Sequence, residues 1–214
     1  MSGERAVISD FGGVLTTPLV EAFLAIQRDS GIPLEAMGQA MAAFAAQDGG
    51  NPLYELELGR LTEREFVGRL EGALTGVLGR PVELTDFSRR WFAHLQPNQE
   101  LLDYLRGLRD RGVRLALLTN NVREWEPLWR AKLPVDELFE VVVDSAFVGM
   151  RKPDPAIYRL TLERLGLPAE ACVFVDDNER NVRAARELGM QAVWFRSTEQ
   201  AIAEVERALD GTRV

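Results

Sequence analysis

Apolar residues along this chain follow two rhythms. From residue 97 onward, short apolar runs alternate with stretches whose apolar positions recur every three or four residues, the pattern of strands joined by crossover helices. Leu115-Ala116-Leu117-Leu118, Glu140 to Val143, Cys172 to Val175 and Gln191 to Phe195 are predicted strands. Helices are expected at 123–131, 154–165, 178–188 and 198–209. Before them, Leu101, Leu102, Leu105 and Leu108 share one face of a helix that stops near Arg111-Gly112. A separate early strand, Ala6 to Asp10, runs into the Gly12-Gly13 breaker.

Between Thr16-Thr17-Pro18 and residue 95 the rhythm is helical, with Ala, Leu, Met and Phe on repeating faces. The spacing predicts helices at 19–29, 34–47, 62–78 and 84–95. Asp48-Gly49-Gly50-Asn51-Pro52 reads as a loop and Gly79-Arg80-Pro81 as a stop. Thr62-Glu63-Arg64-Glu65 has the form of a capping box, which sets the start of the third helix. Together these elements predict an α/β protein: a Rossmann-like parallel sheet core with helices on both faces, built from residues 1–16 and 96–214, and a helical insert over 17–95.

Composition narrows the function. A chain of 214 residues, 46% hydrophobic and 27% charged, can bury a substantial core and is not a disordered chain. Its 25 Lys and Arg against 33 Asp and Glu leave a net charge of −8 with no basic block, which excludes nucleic acid as the expected partner. The single cysteine, Cys172, cannot form an internal disulfide and lies in a predicted buried strand. No run approaches the ~18 apolar residues of a membrane span. Met1 to Arg5 lead straight into an apolar segment without a secretory cleavage pattern. A cytoplasmic protein acting away from membranes is expected.

The chemistry is at the strand ends. Asp10, Thr119, Asp176 and Asp177 each follow a short apolar strand, and the carboxyl ends of neighbouring parallel strands share one ligand-binding edge. Three carboxylates gathered there repel one another unless a cation sits among them, and such hard oxygen ligands suit Mg²⁺. Plainer explanations exist for each residue taken alone. An Asp after a strand forms turns, Asp176-Asp177 could cap the following helix, Lys152 could be a loop cation, and Thr119-Asn120-Asn121 could open a helix. The concurrence of all of them favours a site. His94, among Trp91, Phe92 and Leu95, reads as structural. Trp125 and Trp129, four apart, read as packing residues, with a place in a cleft as the alternative. Gly12-Gly13 lacks the rest of any nucleotide-binding loop.

Four ordered segments carry a resemblance: Asp10-Phe11-Gly12-Gly13-Val14-Leu15-Thr16, Leu117-Leu118-Thr119-Asn120, Gly149 to Tyr158 around Lys152-Pro153, and Val173-Phe174-Val175-Asp176-Asp177 with Asn181 beyond. In order and spacing they resemble the motifs of the haloacid dehalogenase-like (HAD) hydrolases. The similarity is greatest to the branch containing the N-terminal phosphatase domain of soluble epoxide hydrolase and bacterial glucose-1-phosphate phosphatases. The helical block falls where that family inserts its C1-type cap.

The resemblance implies a Mg²⁺-dependent phosphatase acting on a small phosphorylated metabolite such as a sugar phosphate. Asp10 would be the nucleophile that forms an aspartyl-phosphate. Asp10, the backbone carbonyl of Gly12 and Asp177 would hold the metal, with Asp176 behind them or sharing the role. Thr119 and the Asn120 amide would donate to phosphoryl oxygens, Lys152 would neutralise charge, and Asn181 would orient Lys152 or a neighbouring acid. The cap would set specificity.

One position departs from the family pattern. Phosphatases of this family usually carry a second aspartate two residues after the nucleophile, as an acid/base worth ~10² to 10⁴ in rate. Here that position is Gly12. Turnover with a proton from water, substrate or another side chain is the favoured expectation, since the branch it resembles also tolerates glycine there. The alternatives are dehalogenase-like or activated-phosphate hydrolysis, whose leaving groups need no proton, and a catalytically weak phospho-ligand binder.

Overall fold

The computed structural model describes residues 4–48 and 51–211. Five strands, β1 (Ala6–Ser9), β2 (Arg114–Thr119), β3 (Val141–Asp144), β4 (Cys172–Asp176) and β5 (Gln191–Trp194), form one parallel sheet in the order β3-β2-β1-β4-β5. Alternate residues point to opposite faces, and both faces are covered. Val7, Leu115, Leu117, Val173 and Val175 belong to one apolar layer. Ala6, Ile8, Ala116, Leu118, Val143 and Phe174 belong to the other. This double burial is why the strands read as unbroken apolar runs.

The chain moves outward from β1 to β2 and β3, then returns past β1 to β4 and β5, so the order reverses beside β1. Crevices at such reversals, beyond the strand carboxyl ends, are where open α/β sheets bind ligands. Register makes the placement specific. Ser9 pairs with Leu117 on one side and Val175 on the other, which sets Asp10 level with Asp176 and within one residue of the level of Thr119.

Between β1 and the rest of the core run five helices: α1 (Leu19–Ser30), α2 (Leu34–Asp48), α3 (Pro52–Glu57), α4 (Glu63–Leu78) and α5 (Phe87–Ala93). The insert leaves and rejoins the core through paired segments. Thr16 and Pro97 form an antiparallel bridge, Thr17 N donates to Gln96 O at 2.8 Å, and Asn98 N donates to Leu15 O at 2.9 Å. The capping box starts α4 as expected: Glu65 N donates to Thr62 Oγ1 at 3.2 Å and Thr62 N to Glu65 Oε2 at 3.0 Å.

Two expectations for the insert are corrected. The segment read as a loop over 48–52 leads directly into α3, whose first turn carries Pro52 and whose N-terminus is capped by Asn51 Oδ1 accepting from Leu53 N at 3.1 Å. Gly49 and Gly50 lie outside the described residues. The helix expected over 84–95 begins only at Phe87, because the preceding backbone is held by α4. Leu84 N donates to Glu71 Oε1 at 2.6 Å and Val82 N to Thr75 Oγ1 at 3.2 Å.

In the core, α6 (Gln99–Asp110), α10 (Pro155–Leu165), α11 (Glu179–Glu187) and α12 (Thr198–Leu209) match the pattern closely. The helix expected over 123–131 divides into a 3₁₀ turn, Arg123–Trp125, and α7 (Glu126–Arg130), with Pro127 in the first turn of α7. Two short helices were not predicted: α8 (Val135–Leu138) and α9 (Ser145–Val148). Strand ends shift by a residue, so Glu140 and Phe195 fall outside β3 and β5. No described helix is long and apolar enough to cross a membrane.

Candidate active site

Lys152 lies at the centre of the strand-end cluster. Its Nζ donates to Asp10 Oδ1 at 2.6 Å and to Asp176 Oδ2 at 2.7 Å, and the residue is 1% exposed. The loop that carries it is fixed by Asn120, whose Oδ1 accepts from Lys152 N at 2.8 Å and whose Nδ2 donates to Lys152 O at 3.0 Å. Asn181 Nδ2 donates to both Asp176 oxygens, at 3.0 and 3.1 Å, and Asn178 N adds a bond to Oδ1 at 2.8 Å. Asp176 is thus a buried hub with both oxygens engaged. Capping of α11 falls to Asn178, whose Oδ1 accepts from Arg180 N at 3.0 Å, so neither acid is spent on it.

Asp177 faces the opening and lies against the turn after β1. A Cβ on Gly13 would collide with the Asp177 carboxylate, and Gly13 also has φ of +79°, so the position requires glycine on both counts. Carboxylate oxygens of Asp10, Asp176 and Asp177 lie within 4.8 Å of one another.

This cluster sets three acids against one ammonium. Burial pushes the Asp10 carboxyl up to about 7; Asp176 and Asp177 add to the rise and Lys152 opposes it. Burial and Asp176 push Asp177 up to about 6, again against Lys152. Burial disfavours the Lys152 ammonium, yet Asp10 and Asp176 outweigh it and hold the pKa above its ordinary value. An excess of buried negative charge is what a divalent cation relieves.

Asp10, Gly12, Thr119, Asn120, Lys152, Asp177 and Asn181 line one cavity of about 480 Å³ between the sheet edge and the insert, with Asp176 behind them. The sequence-derived residues therefore converge. His94 stands apart, its Nε2 3.2 Å from Asp29 Oδ2, joining α5 to α1 as a structural residue. Trp129 is fully buried with its ring 5.7 Å from that of Phe11, as packing requires, whereas Trp125 lines the cavity.

Tyr54, Glu57 and Arg151 line the cavity and escaped the sequence reading. Arg151 Nε contacts Glu57 Oε2 at 2.7 Å, and its guanidinium lies 3.8 Å from the centre of the Tyr54 ring. Ser145 Oγ donates to Glu57 O at 2.6 Å, and Arg123 Nη2 to Ala146 O at 2.6 Å. Burial raises the Glu57 pKa and Arg151 opposes the rise. The Glu57 contacts dock α3 onto α9 and onto the loop that carries Lys152, and Arg123 ties its 3₁₀ turn to α9. The available signal was Asn51-Pro52, a cap residue followed by a first-turn proline.

A family model described as a haloacid dehalogenase-like hydrolase matches residues 4–189. The chain is 28% identical over 212 residues to Acyl-CoA dehydrogenase family member 10 of Mus musculus, covering 96% of this chain and 19% of that protein. It spans under half the length of several curated relatives that it matches. It is 29% identical over 195 residues to Sesquiterpene phosphatase astK of Aspergillus oryzae, covering 87% of each. Among solved structures, a HAD family enzyme from Bacteroides thetaiotaomicron in complex with magnesium and inorganic phosphate shares the fold at a TM-score of 0.67 and 22% identity, covering 91% of this chain and 95% of that one. With one family model spanning both the sheet edge and the helical insert, the chain belongs to the haloacid dehalogenase-like hydrolases.

Proposed function

We propose that the protein is a Mg²⁺-dependent phosphatase that cleaves a small phosphate monoester through an aspartyl-phosphate on Asp10, with the insert over 17–95 acting as a cap on the core of 1–16 and 96–214. The observation that carries this reading is Lys152 Nζ held at 2.6 Å from Asp10 and 2.7 Å from Asp176 in a cavity also lined by Asp177 and Thr119. The relative with a phosphatase name and the neighbour with bound magnesium and phosphate support it. The single cysteine, buried in β4, fits a reducing, cytoplasmic setting.

The residues fit a divalent cation. Three carboxylates lie within 4.8 Å, and burial together with the neighbouring acids raises the pKa of two of them. Asp10, Asp177 and the Gly12 carbonyl would hold it, because both Asp176 oxygens are engaged by Lys152, Asn181 and Asn178. When bound, Mg²⁺ supplies Lewis-acid charge stabilisation for the phosphoryl group.

The chain's own groups do the rest. The Asp10 carboxylate attacks phosphorus, forming an O–P bond as the ester P–O bond breaks, and the departing oxygen takes a proton from water or substrate. Water then attacks the acyl phosphate and releases Asp10 and inorganic phosphate. Lys152 offsets charge on Asp10 and on the transferring group, and Thr119 and the Asn120 amide donate to phosphoryl oxygens. Asp176, Asn181 and the Asn120 side chain keep Lys152 in place. The Glu57–Arg151 pair holds α3 of the cap against the loop that carries Lys152.

The test is phosphate release from a panel of monoesters with and without Mg²⁺, repeated with Asp10→Asn. Metal-dependent release that the variant abolishes is expected. Undiminished turnover by Asp10→Asn would remove Asp10 from the nucleophile role.

A further inference from the structure

Beyond the phosphoryl end, the cavity changes character. Its remaining wall is built by side chains from α1, α2, α4 and α5 and by Trp125, among them Phe23, Met41, Phe66, Leu70 and Trp91. Most polar side chains on the same wall are already engaged, the Trp125 indole N–H being a buried donor left without a partner among the described residues. Arg151 and Glu57 pair with each other, Asn120 with the Lys152 backbone, and Asn181 with Asp176. Little is left to receive the hydroxyls of a polyol, and a hydroxyl buried without a partner weakens binding by about fivefold to a hundredfold.

The mouth of the cavity is apolar too. Leu19, Phe23 and Tyr54 line it and are 36%, 41% and 39% exposed, placing them among the large hydrophobic side chains that the folded chain leaves open to water. Single exposed apolar residues need no explanation, but three around one opening that leads to a phosphate-binding cluster do.

We infer that this site takes an amphiphilic monophosphate, a phosphate ester of an unbranched or isoprenoid hydrocarbon chain of about ten carbons, in preference to a sugar phosphate. The inference rests on the phosphatase reading for what happens at the phosphoryl end, and on the cavity wall for the rest. The chain length follows from volume. At roughly 30 Å³ per water-sized group, about 480 Å³ holds about sixteen such groups, of which a phosphate takes five. The phosphate would sit at Lys152, Thr119 and Asp10, and the chain would run between Phe66 and Leu70 on one helix and Trp91 and Trp125 beyond it.

The experiment is kcat/KM for n-alkyl phosphates from ethyl to dodecyl, below their micellar concentrations and with Mg²⁺, beside glucose 6-phosphate and p-nitrophenyl phosphate. A rise of about two- to fourfold per methylene, levelling off near ten carbons, is expected. Octyl phosphate should exceed glucose 6-phosphate, whose leaving group is likewise a primary alkoxide, by at least about tenfold. Phe23→Ser, at an exposed position, and Met41→Gln, at a partly buried one, should each reduce the decyl-to-ethyl ratio several-fold. Hydrolysis with no dependence on chain length, or with the sugar phosphate preferred, overturns the inference and leaves the phosphatase reading standing. If no ester is hydrolysed, the phosphatase reading fails, and binding of decyl against ethyl phosphate, followed by tryptophan fluorescence, decides this one. Tighter binding of the longer chain upholds it, and equal binding ends it.

Discussion

Leu19 fills the space into which a side chain on residue 12 would project. A Cβ on Gly12 would lie 3.0 Å from Leu19 Cδ2 and 3.1 Å from Cδ1. Gly12 does not occupy the left-handed region, so a neighbouring side chain, not the backbone, crowds an acid there. Loss of the acid and the presence of leucine at the head of α1 are two sides of one packing arrangement.

An acid restored at residue 12 should therefore act best with Leu19 shortened as well. Gly12→Asp alone should gain little on alkyl phosphates, while Gly12→Asp with Leu19→Ala should gain about 10- to 100-fold, within the ordinary worth of a general acid. In the unaltered protein kcat/KM should fall steeply as leaving-group pKa rises, and in the double variant the slope should flatten. Rates across aryl and alkyl esters measure both, and an equal gain from the single variant would contradict the steric account.

Lys152→Met leaves Asp10 and Asp176 buried side by side without their shared cation. Removing one partner of a buried ion pair destabilises by about 3–5 kcal/mol, and a loss of that size is expected in urea unfolding at neutral pH, together with loss of turnover. The deficit should shrink as pH falls below about 7, where Asp10 takes up a proton. Unchanged stability at neutral pH would mean that the triad is not the buried network its distances describe.

Proton and metal compete for the same carboxylates. Asp10, at about 7, and Asp177, at about 6, both lie above their ordinary value of 3.8, so without a cation the folded state binds protons more tightly than the unfolded chain. Their contribution to stability is full below about pH 4 and is lost as pH rises through 6 and 7. Mg²⁺ must displace these protons, so its effect on Tm should be near zero at pH 5, grow through pH 6–7 and level off above. Thermal melts with and without MgCl₂ across that range measure it, and a pH-independent shift would place the ion elsewhere.

Asp144, at the end of β3, gives a stability test away from the chemistry. Burial, with Glu126 adding to it, raises its pKa to about 6 against the Ala146 N–H, which donates to Oδ1 at 3.0 Å, and the Trp129 indole. The ionised group thus opposes folding above about pH 6, by up to about 3 kcal/mol, and the penalty disappears as pH falls below the unfolded value near 4. Asp144→Asn keeps an N-cap for α9 without the charge. It should be more stable than the parent by about 1–3 kcal/mol at pH 8 and equal to it near pH 4, as denaturant midpoints would report.

Much of the architecture was legible because its causes are local. Strands covered on both faces must be apolar at every position, so β2 and β4 stand out whatever surrounds them. The α4 capping box is closed by residues three apart. Asp10, Thr119, Asp176 and Asp177 could be read as one site because a parallel sheet carries all its strand ends to one edge, and a polar residue ending an apolar run marks that edge.

Tertiary structure decided what depends on contacts between distant segments. Helices α3, α8 and α9 have six, four and four residues, too short for a periodicity to register, and α3 is held by docking through Glu57 to Arg151 and Ser145. The start of α5 at Phe87 was set by Glu71 and Thr75 reaching across from α4. Which strand lies beside β1, which carboxylate is tied up by Lys152, and what fills the space next to Gly12 all follow from close approach in three dimensions. Periodicity and capping act over a turn of chain and can be read in order, whereas a cavity wall is assembled by helices that meet only when the chain has folded.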